Sequence, residues 1–380
     1  MVENKDYLSI LKDLVSLRSD VDSGSRRNEA EIRMYITRFF RDLPGWKVAK
    51  QRVENGRYNI VATSSSDPKT VFFGHMDTVP VTNERQLKPT VKGNRFFGRG
   101  AVDMKAGLAL MLSLAKEQAW EDVEFVFTVG EEYDLCGAAA FIFQCKDWKP
   151  KLIINPEPTD LQLLTACRGI AEITVRLRGK TAHAGRKQEG VNAIEKSIIF
   201  CEKLEAQIQR FDTQNLRSSL NLASLSGGVL QDGEIICRAN MVPDVAQIFI
   251  ELRLGCKDLT RNSLKKLVRK TAKECSLGLL EYQTGIWFEP LVSSGNKALQ
   301  NFRRSITECG VSLKEQDPNE SGFFEVALLK QIWNCPCVVF GPGPFAKAHQ
   351  GDEYVDIREM AKTRKVLVSY LTKTRKDEVQ

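Results

Sequence analysis

Residues 71–80, VFFGHMDTVP, place a histidine and an aspartate between an apolar run and a proline. The β-favouring residues before Gly74 predict a buried strand. Because side chains alternate along a strand, His75 and Asp77 fall on one face at its carboxyl end. By itself, this stretch is compatible with a metal or catalytic site and equally with a core histidine paired with a carboxylate.

Other predicted strands of the chain end in the same way. Residues 123–129 lead to Glu131 and Glu132, residues 152–155 lead to Glu157, and residues 338–340 lead through a loop to His349. In open α/β sheets, ligand sites lie beyond the carboxyl ends of the strands. We therefore expect these side chains to meet at one edge of the sheet, which favours a functional site over isolated structural residues.

One acid stands apart from the strand ends. Asp103 lies in residues 98–107, GRGAVDMKAG, among glycines and just before the apolar helical run of residues 106–114. It has an alternative role as the N-cap of that helix, because aspartate is favoured there. An N-cap explains neither the flanking glycines nor Lys105, so a ligand role stays open.

Length and composition restrict the class of protein. A chain of 380 residues favours two domains. The net charge of +7 is spread without a long basic block, which argues against nucleic-acid binding. No apolar run is long enough to cross a membrane, and residues 1–20 lack the apolar core of a signal peptide, so we expect a cytoplasmic protein. Ten cysteines without a CxxC pair suit a reducing compartment rather than a zinc-thiolate site.

The order of elements changes after residue 168. Strand, GKTAHAG, amphipathic helix, further strands and a second helix follow one another up to about residue 284. We expect an α/β fold in which residues 1–168 and 285–380 form a mixed sheet flanked by helices. Residues 169–284 then form an inserted small α+β domain.

The residue types indicate the chemistry. Imidazole and carboxylate ligands without thiols suit zinc, with cobalt or manganese as substitutes. Two metal ions use the set fully if Asp103 bridges them. Asp77 can accept the second ring N–H of His75 and fix its tautomer. Of Glu131 and Glu132, one can be a ligand and the other a general base.

Seven motifs now form a recognisable series: GHMDTVP, GRGAVDMKAG, GEE, PEPT, GKTAHAG, NMVPD, and GPG followed by His349. With these motifs the chain resembles the acetylornithine deacetylase, succinyl-diaminopimelate desuccinylase and carboxypeptidase G family of zinc metallohydrolases. The resemblance spans nearly the whole chain. It implies a zinc-exopeptidase-like catalytic domain and an inserted domain that acts as a lid and in dimerisation.

The resemblance also implies residue roles. His75, Asp103 and Glu157 would hold one Zn²⁺, Asp103, Glu132 and His349 would hold the other, Glu131 would be the base, and Asp77 would support His75. The peptide bond between Asp103 and Met104 is typically cis in such enzymes.

Three residues of the inserted domain match substrate-contacting positions of the family. His183 matches a histidine that stabilises the oxyanion in the neighbouring subunit's active site, which implies a homodimer. Asn240 and Arg253 match positions that bind the substrate carboxylate. Alternative roles remain: Asn240 as a turn residue before Pro243, and Arg253 on a solvated sheet face.

The chain departs from the family at residues 321–325, SGFFE, where relatives commonly have a glycine-rich run ending in aspartate. Phe323 and Phe324 either point into the core or line the substrate pocket.

The expected function is a dinuclear zinc amidohydrolase that removes the acyl group from a small N-acyl amino acid. A metallo-dipeptidase or carboxypeptidase acting on short peptides is the alternative. Two other hypotheses are an inactive homologue that acts as a binding protein and a cysteine hydrolase using Cys136 or Cys167.

Overall fold

The computed structural model describes residues 6–22, 28–54, 56–145, 147–213, 215–333 and 335–377. The chain divides into two compact units. The larger unit comprises Met1–Ala166, Val292–Asp317 and Phe324–Gln380, and the smaller unit comprises Cys167–Leu291 and Pro318–Phe323.

The strands in the described part of the chain are, in order, β1 Lys47–Arg52, β2 Tyr58–Thr63, β3 Thr70–His75, β4 Thr90–Lys92, β5 Arg95–Phe97, β6 Val123–Thr128, β7 Leu152–Asn155, β8 Ala166–Cys167, β9 Gly169–Arg178, β10 Ser219–Gln231, β11 Glu234–Ile236, β12 Val245–Leu254, β13 Gly278–Phe288, β14 Leu291–Val292, β15 Cys337–Val339 and β16 Tyr354–Asp356.

The α-helices in the same part are α1 Asp6–Ser16, α2 Ala30–Arg41, α3 Ala106–Glu117, α4 Cys136–Gln144, α5 Ala193–Ile208, α6 Arg261–Glu274, α7 Lys297–Glu308, α8 Val326–Ile332 and α9 Ile357–Asp377. None of these helices combines the length and apolarity that a membrane span requires.

The larger unit is built on a six-stranded mixed sheet in the order β1-β2-β6-β3-β7-β15. Strand β3 is parallel to β6 and β7, and β7 is parallel to β15, whereas β1 and β2 pair antiparallel. Every residue of β3, β6 and β7 is buried, as expected for strands covered on both faces. The predicted α/β class, with a mixed sheet flanked by helices, is confirmed.

The four parallel strands all end at the same edge of this sheet. Their last residues are His75, Thr128, Asn155 and Val339. The chain segments that leave these ends carry the ionisable residues of the sequence motifs, so the fold alone gathers them at one edge.

The smaller unit is a five-stranded antiparallel sheet, in the order β11-β10-β12-β9-β13, with α5 and α6 packed on it. Alternate residues of β9 are buried, which is typical of a sheet with one covered face. The sequence predicts that the insertion ends at residue 284. Strand β13 instead continues to pair with β9 as far as Phe288 opposite Ile170.

Candidate metal centre and active site

His75 ends the buried strand β3 and is almost fully buried itself, at 1% exposure. Its Nε2 lies 3.1 Å from Asp103 Oδ1 and 3.3 Å from Glu157 Oε1. On the other side of the ring, Nδ1 lies 3.0 Å from the carbonyl oxygen of Asp77. Since Nδ1 can donate its hydrogen to that carbonyl, the lone pair of Nε2 is directed at the two carboxylates.

His349 forms a second group around the same aspartate. Its Nε2 lies 3.3 Å from Asp103 Oδ2 and 3.0 Å from Glu132 Oε2. Asp103 therefore turns one carboxylate oxygen to His75 and the other to His349. This arrangement is the one that a bridging carboxylate needs.

Asp103 reaches this position from an irregular segment between β5 and α3. The backbone is not helical at Asp103 and Met104, and the peptide bond that joins them is cis, as the family resemblance implies. Helix α3 begins at Ala106 with Lys105 in the N-cap position. Asp103 is therefore not the helix N-cap. Its side chain faces the two histidines instead.

The remaining ligand candidates follow strand ends directly. Glu157 comes two residues after β7, and its N–H donates to Asn155 Oδ1 at 2.9 Å, which fixes the turn. Glu131 and Glu132 follow β6, and their N–H groups donate to Asp77 Oδ1 and Oδ2 at 3.1 and 3.0 Å.

The role of Asp77 differs from the expectation. Its carboxylate Oδ1 lies 3.8 Å from His75 Nδ1, beyond hydrogen-bond distance, whereas its carbonyl lies at 3.0 Å. The carboxylate holds the Glu131 and Glu132 backbone instead. Two consecutive N–H donors at a turn bind a carboxylate well, so Asp77 orients His75 and both glutamates at once.

These side chains fit two divalent metal ions. Ligand atoms about 2.0 Å from a tetrahedral ion are about 3.3 Å apart, close to the nitrogen–oxygen distances found here. The groups His75, Asp103, Glu157 and Asp103, Glu132, His349 each bring three ligand atoms within 4.8 Å of one another. Glu132 Oε1 is buried and has no hydrogen-bond partner among the described residues, so it is an unused ligand atom.

A further group at the same spacing, Glu54, Asp134 and Cys136, does not fit an ion. Arg57 Nη1 lies 3.0 Å from Glu54 Oε1 and 3.3 Å from Cys136 Sγ, so a cationic guanidinium already contacts two of the three side chains. Burial raises the pKa of the Cys136 thiol, and Cys167 is fully buried, which disfavours both as nucleophiles.

Charge accumulates strongly at this edge of the sheet. Burial raises the pKa of Glu131 well above its ordinary value; His75 opposes the shift, and the charges of Glu132 and Glu157 add to it. Hydrogen bonds to Asp103 and Glu132 raise the pKa of His349 to about 10. Without metal ions the cluster holds protons, which the ions must displace on binding.

Two buried acids near the centre are not predicted from the sequence. Glu325 is fully buried, and the Thr128 hydroxyl donates to its carboxylate oxygens at 2.9 and 3.0 Å. Glu353 is also buried, at 3% exposure, and its carboxylate accepts from the backbone of the Asp103 segment. Glu325 ends the SGFFE stretch and Glu353 follows His349 by four residues, but nothing in the sequence distinguishes either from a surface acid.

The two phenylalanines before Glu325 have different surroundings. Phe324 is 3% exposed and packs against Phe345, with ring centroids 6.0 Å apart. Phe323 belongs to the smaller unit, where its ring stacks on Phe288 at 5.2 Å. Phe324 is therefore a core residue of the larger unit.

The smaller unit brings His183 and Asn240 together. His183 is exposed beyond the end of β9, and its Nδ1 accepts a hydrogen bond from the Gly185 N–H at 3.1 Å. The N–H of Ala184, the residue after His183, donates a hydrogen bond to the Asn240 carbonyl at 2.9 Å. Neutral His183 therefore carries its hydrogen on Nε2, which is free to donate.

Arg253 lies at the opposite end of the same sheet. It pairs across β9 with Ile170, whereas His183 follows the far end of β9 beyond Arg178. The strand between these ends, from Val245 to Arg253, is about 26 Å long at about 3.3 Å per residue. Arg253 Nε donates to Glu251 Oε1 at 2.8 Å, so Arg253 is half-buried beside an acid on the sheet.

Comparison with known proteins identifies the family of the chain. The model of peptidase family M20/M25/M40 matches residues 71–373. The chain is 27% identical to the acetylornithine deacetylase of Aliivibrio fischeri (strain MJ11), and the alignment covers 98% of each chain.

Two solved structures share the fold. A tripeptidase from Staphylococcus aureus superposes with a TM-score of 0.76 at 21% identity, covering 98% of each chain. A dinuclear metal-binding M20 peptidase from Bacillus subtilis superposes with a TM-score of 0.69 at 13% identity, covering 97% of each chain. The chain thus belongs to peptidase family M20/M25/M40, whose members are metal-dependent hydrolases of amide bonds.

Proposed function

We propose that the protein is a dinuclear zinc amidohydrolase that removes the acyl group from an N-acyl amino acid. The observation that carries this proposal is the pair of three-residue ligand groups that share Asp103, with Glu131 next to them in the chain. The full-length similarity to an acetylornithine deacetylase supports an acyl-amino acid as substrate.

In this proposal His75, Asp103 and Glu157 hold one ion, and Asp103, Glu132 and His349 hold the other. When bound, the ions supply Lewis-acid polarisation of the substrate carbonyl and lower the pKa of water; cobalt or manganese can replace zinc. Glu131 takes a proton from the attacking water and returns it to the amine as the C–N bond breaks. Asp77 keeps Glu131 in place by binding its backbone N–H.

His183 is the proposed oxyanion donor. Its Nδ1 already accepts the Gly185 N–H, so its Nε2–H points outward as a donor for the oxygen that becomes negatively charged. This hydrogen bond lies within the smaller unit and selects the tautomer of the ring.

The positions of the substrate-binding residues support a homodimer. Arg253 lies at one end of the sheet and the pair His183 and Asn240 lies beyond the other end, and the strand from Val245 to Arg253 between these ends is about 26 Å long. An N-acyl amino acid is too short to reach both ends. We therefore propose that one chain supplies Arg253 for the substrate carboxylate, that its partner supplies His183 and Asn240, and that the smaller unit serves as the dimerisation and lid domain.

A peptidase is the second candidate, because the shared fold includes a tripeptidase and a peptide amide has the same reactive group. The inactive-homologue hypothesis is disfavoured, since all five ligand residues and Glu131 are present and five of them make mutual contacts. We place the reaction in the cytoplasm, where a reducing environment matches ten free cysteines.

The test is amine release by the zinc-reconstituted protein from N-acetyl, N-succinyl and dipeptide substrates, each offered with a free and with a blocked carboxylate. The proposal predicts release from N-acyl amino acids and loss of release when the carboxylate is blocked. Preference for dipeptides would favour the peptidase, and no release from any substrate would refute both.

A further inference from the structure

The buried carboxylate of Glu353 lies at the junction of two loops that supply metal ligands. Its Oε2 accepts hydrogen bonds from Arg99 Nη1 at 2.7 Å and from the Gly100 N–H at 3.0 Å. Its Oε1 accepts from the N–H groups of Val102 and Asp103 at 3.0 and 3.2 Å. Four donors converge on two oxygens, so the site requires an acceptor-only, ionised carboxylate.

The backbone around Glu353 strengthens the same junction. The Gly98 N–H donates to the Glu353 carbonyl at 3.2 Å, and Arg99 Nη1 donates to the Gln350 carbonyl at 3.3 Å. His349 directly precedes Gln350, and Asp103 is held by its own N–H. Two of the three ligands in the Asp103, Glu132 and His349 group therefore lie on segments that Glu353 joins.

The other ligand group depends less on this junction. His75 and Glu157 are held at the ends of β3 and β7, and neither makes a hydrogen bond to Glu353 within the described part of the chain. Removal of the Glu353 carboxylate should thus affect the two groups unequally.

We propose that Glu353 is a positioning residue for metal binding, which joins the Asp103 and His349 segments so that the group Asp103, Glu132 and His349 binds its ion tightly. This inference rests on the proposed dinuclear site. Glu353 itself is not a ligand, because all of its described contacts are to Arg99 and to backbone N–H groups.

The substitution Glu353→Gln tests the proposal, because the amide nitrogen must face one of the two donor pairs. The protein freed of metal is titrated with cobalt(II), and bound metal and visible absorption are followed at each equivalent. We expect about 10- to 100-fold weaker affinity for the ion of the Asp103, Glu132 and His349 group. The affinity for the other ion should fall less, because only Asp103 of its three ligands lies on a segment that Glu353 joins. Glu353→Asp keeps the charge on a shorter side chain, so the affinity for the ion of the Asp103, Glu132 and His349 group should fall less. It replaces Glu353→Gln if that variant does not fold.

Asp244→Asn is the matched control. Asp244 is a buried carboxylate of the smaller unit that accepts the Leu230 N–H at 2.9 Å and pairs with Arg178 at 3.0 Å. The Asp244→Asn protein should be less stable than the unmodified chain but should bind both ions with unchanged affinity. A Glu353→Gln protein that binds two ions as tightly as the unmodified chain would overturn the inference. An unmodified chain that binds fewer than two ions would instead refute the dinuclear site, and the inference with it.

Discussion

Glu131 is the residue on which the proposed chemistry depends most. Glu131→Gln removes the base but leaves both ligand groups intact, so we expect two bound metal ions and a kcat lower by about 100- to 10,000-fold. Steady-state kinetics together with metal analysis measures both quantities. Glu315→Gln, at a half-exposed ion pair with Arg303, is the control and should keep full activity. Full activity of Glu131→Gln would exclude Glu131 as the base.

Glu124 gives a prediction about stability. It is buried in β6, its Oε1 has no hydrogen-bond partner in the described residues, and burial raises its pKa to about 9. The folded protein therefore holds a proton that the unfolded chain releases near pH 4.5. Stability from this group is complete below that pH and is lost as the pH rises towards 9.

Glu124→Gln should abolish this loss. Each pKa unit of difference corresponds to about 1.4 kcal/mol, so the variant should gain stability relative to the unmodified chain between pH 5 and pH 9. Thermal unfolding midpoints across that range measure the gain, and Glu315→Gln should show none. A difference in unfolding midpoint between Glu124→Gln and the unmodified chain that stays constant with pH would contradict the raised pKa of Glu124.

The sequence predicts most of the individual candidate ligands, because each follows an apolar strand and strand ends converge in this fold class. It does not predict which atom of Asp77 faces His75, since both its carbonyl and its carboxylate can accept a hydrogen bond. Glu325 and Glu353 were missed for a related reason. Their burial results from contacts with segments distant in the chain, so no local sequence pattern predicts it.

At the level of elements, the close packing of α3 on the end of β7 explains the glycine that closes the GRGAVDMKAG motif. A Cβ on Gly107 would lie 2.4 Å from the carbonyl oxygen of Pro156, the residue before Glu157. Gly107→Ala should therefore push the helix away from the Glu157 turn. We expect a loss of about 1–3 kcal/mol in stability and weaker metal binding.

The sign of this effect is decisive, because alanine is intrinsically better than glycine in a helix by about 1 kcal/mol. Gly295→Ala is the control, since a Cβ there meets no atom within 4 Å. Thermal unfolding and metal titration of both variants measure the effect. A stabilised Gly107→Ala protein would show that the close approach does not matter.

The elements that the sequence predicts well are those with strong apolar periodicity, such as β3, β6, β7 and α5. It misses β1, whose sequence KVAKQR is mostly polar because it forms one edge of the sheet. The predicted end of the inserted domain, residue 284, also falls before the end of β13, where the register shifts twice and neither face is regularly buried. Pairing with another strand, β2 for β1 and β9 for β13, rather than local pattern, decides both cases.

At the level of the whole molecule, the proposed exchange of residues between subunits predicts complementation. Glu131→Gln and His183→Ala proteins should each be nearly inactive. After unfolding and refolding together, half of the dimers are mixed, and each mixed dimer has one complete site. Activity should return to about a quarter of the unmodified level on random assortment. Refolding each variant alone is the control, and no recovery in the mixture would contradict a His183 contribution across the interface.

The central claim is that two metal ions share Asp103, and metal stoichiometry tests it most directly. Protein freed of metal is titrated with zinc, and bound metal per chain is compared with the rate of amine release at each equivalent. We predict saturation at two ions per chain, with Asp103→Ala losing tight binding of both. Saturation at one ion per chain with full activity would contradict the dinuclear centre.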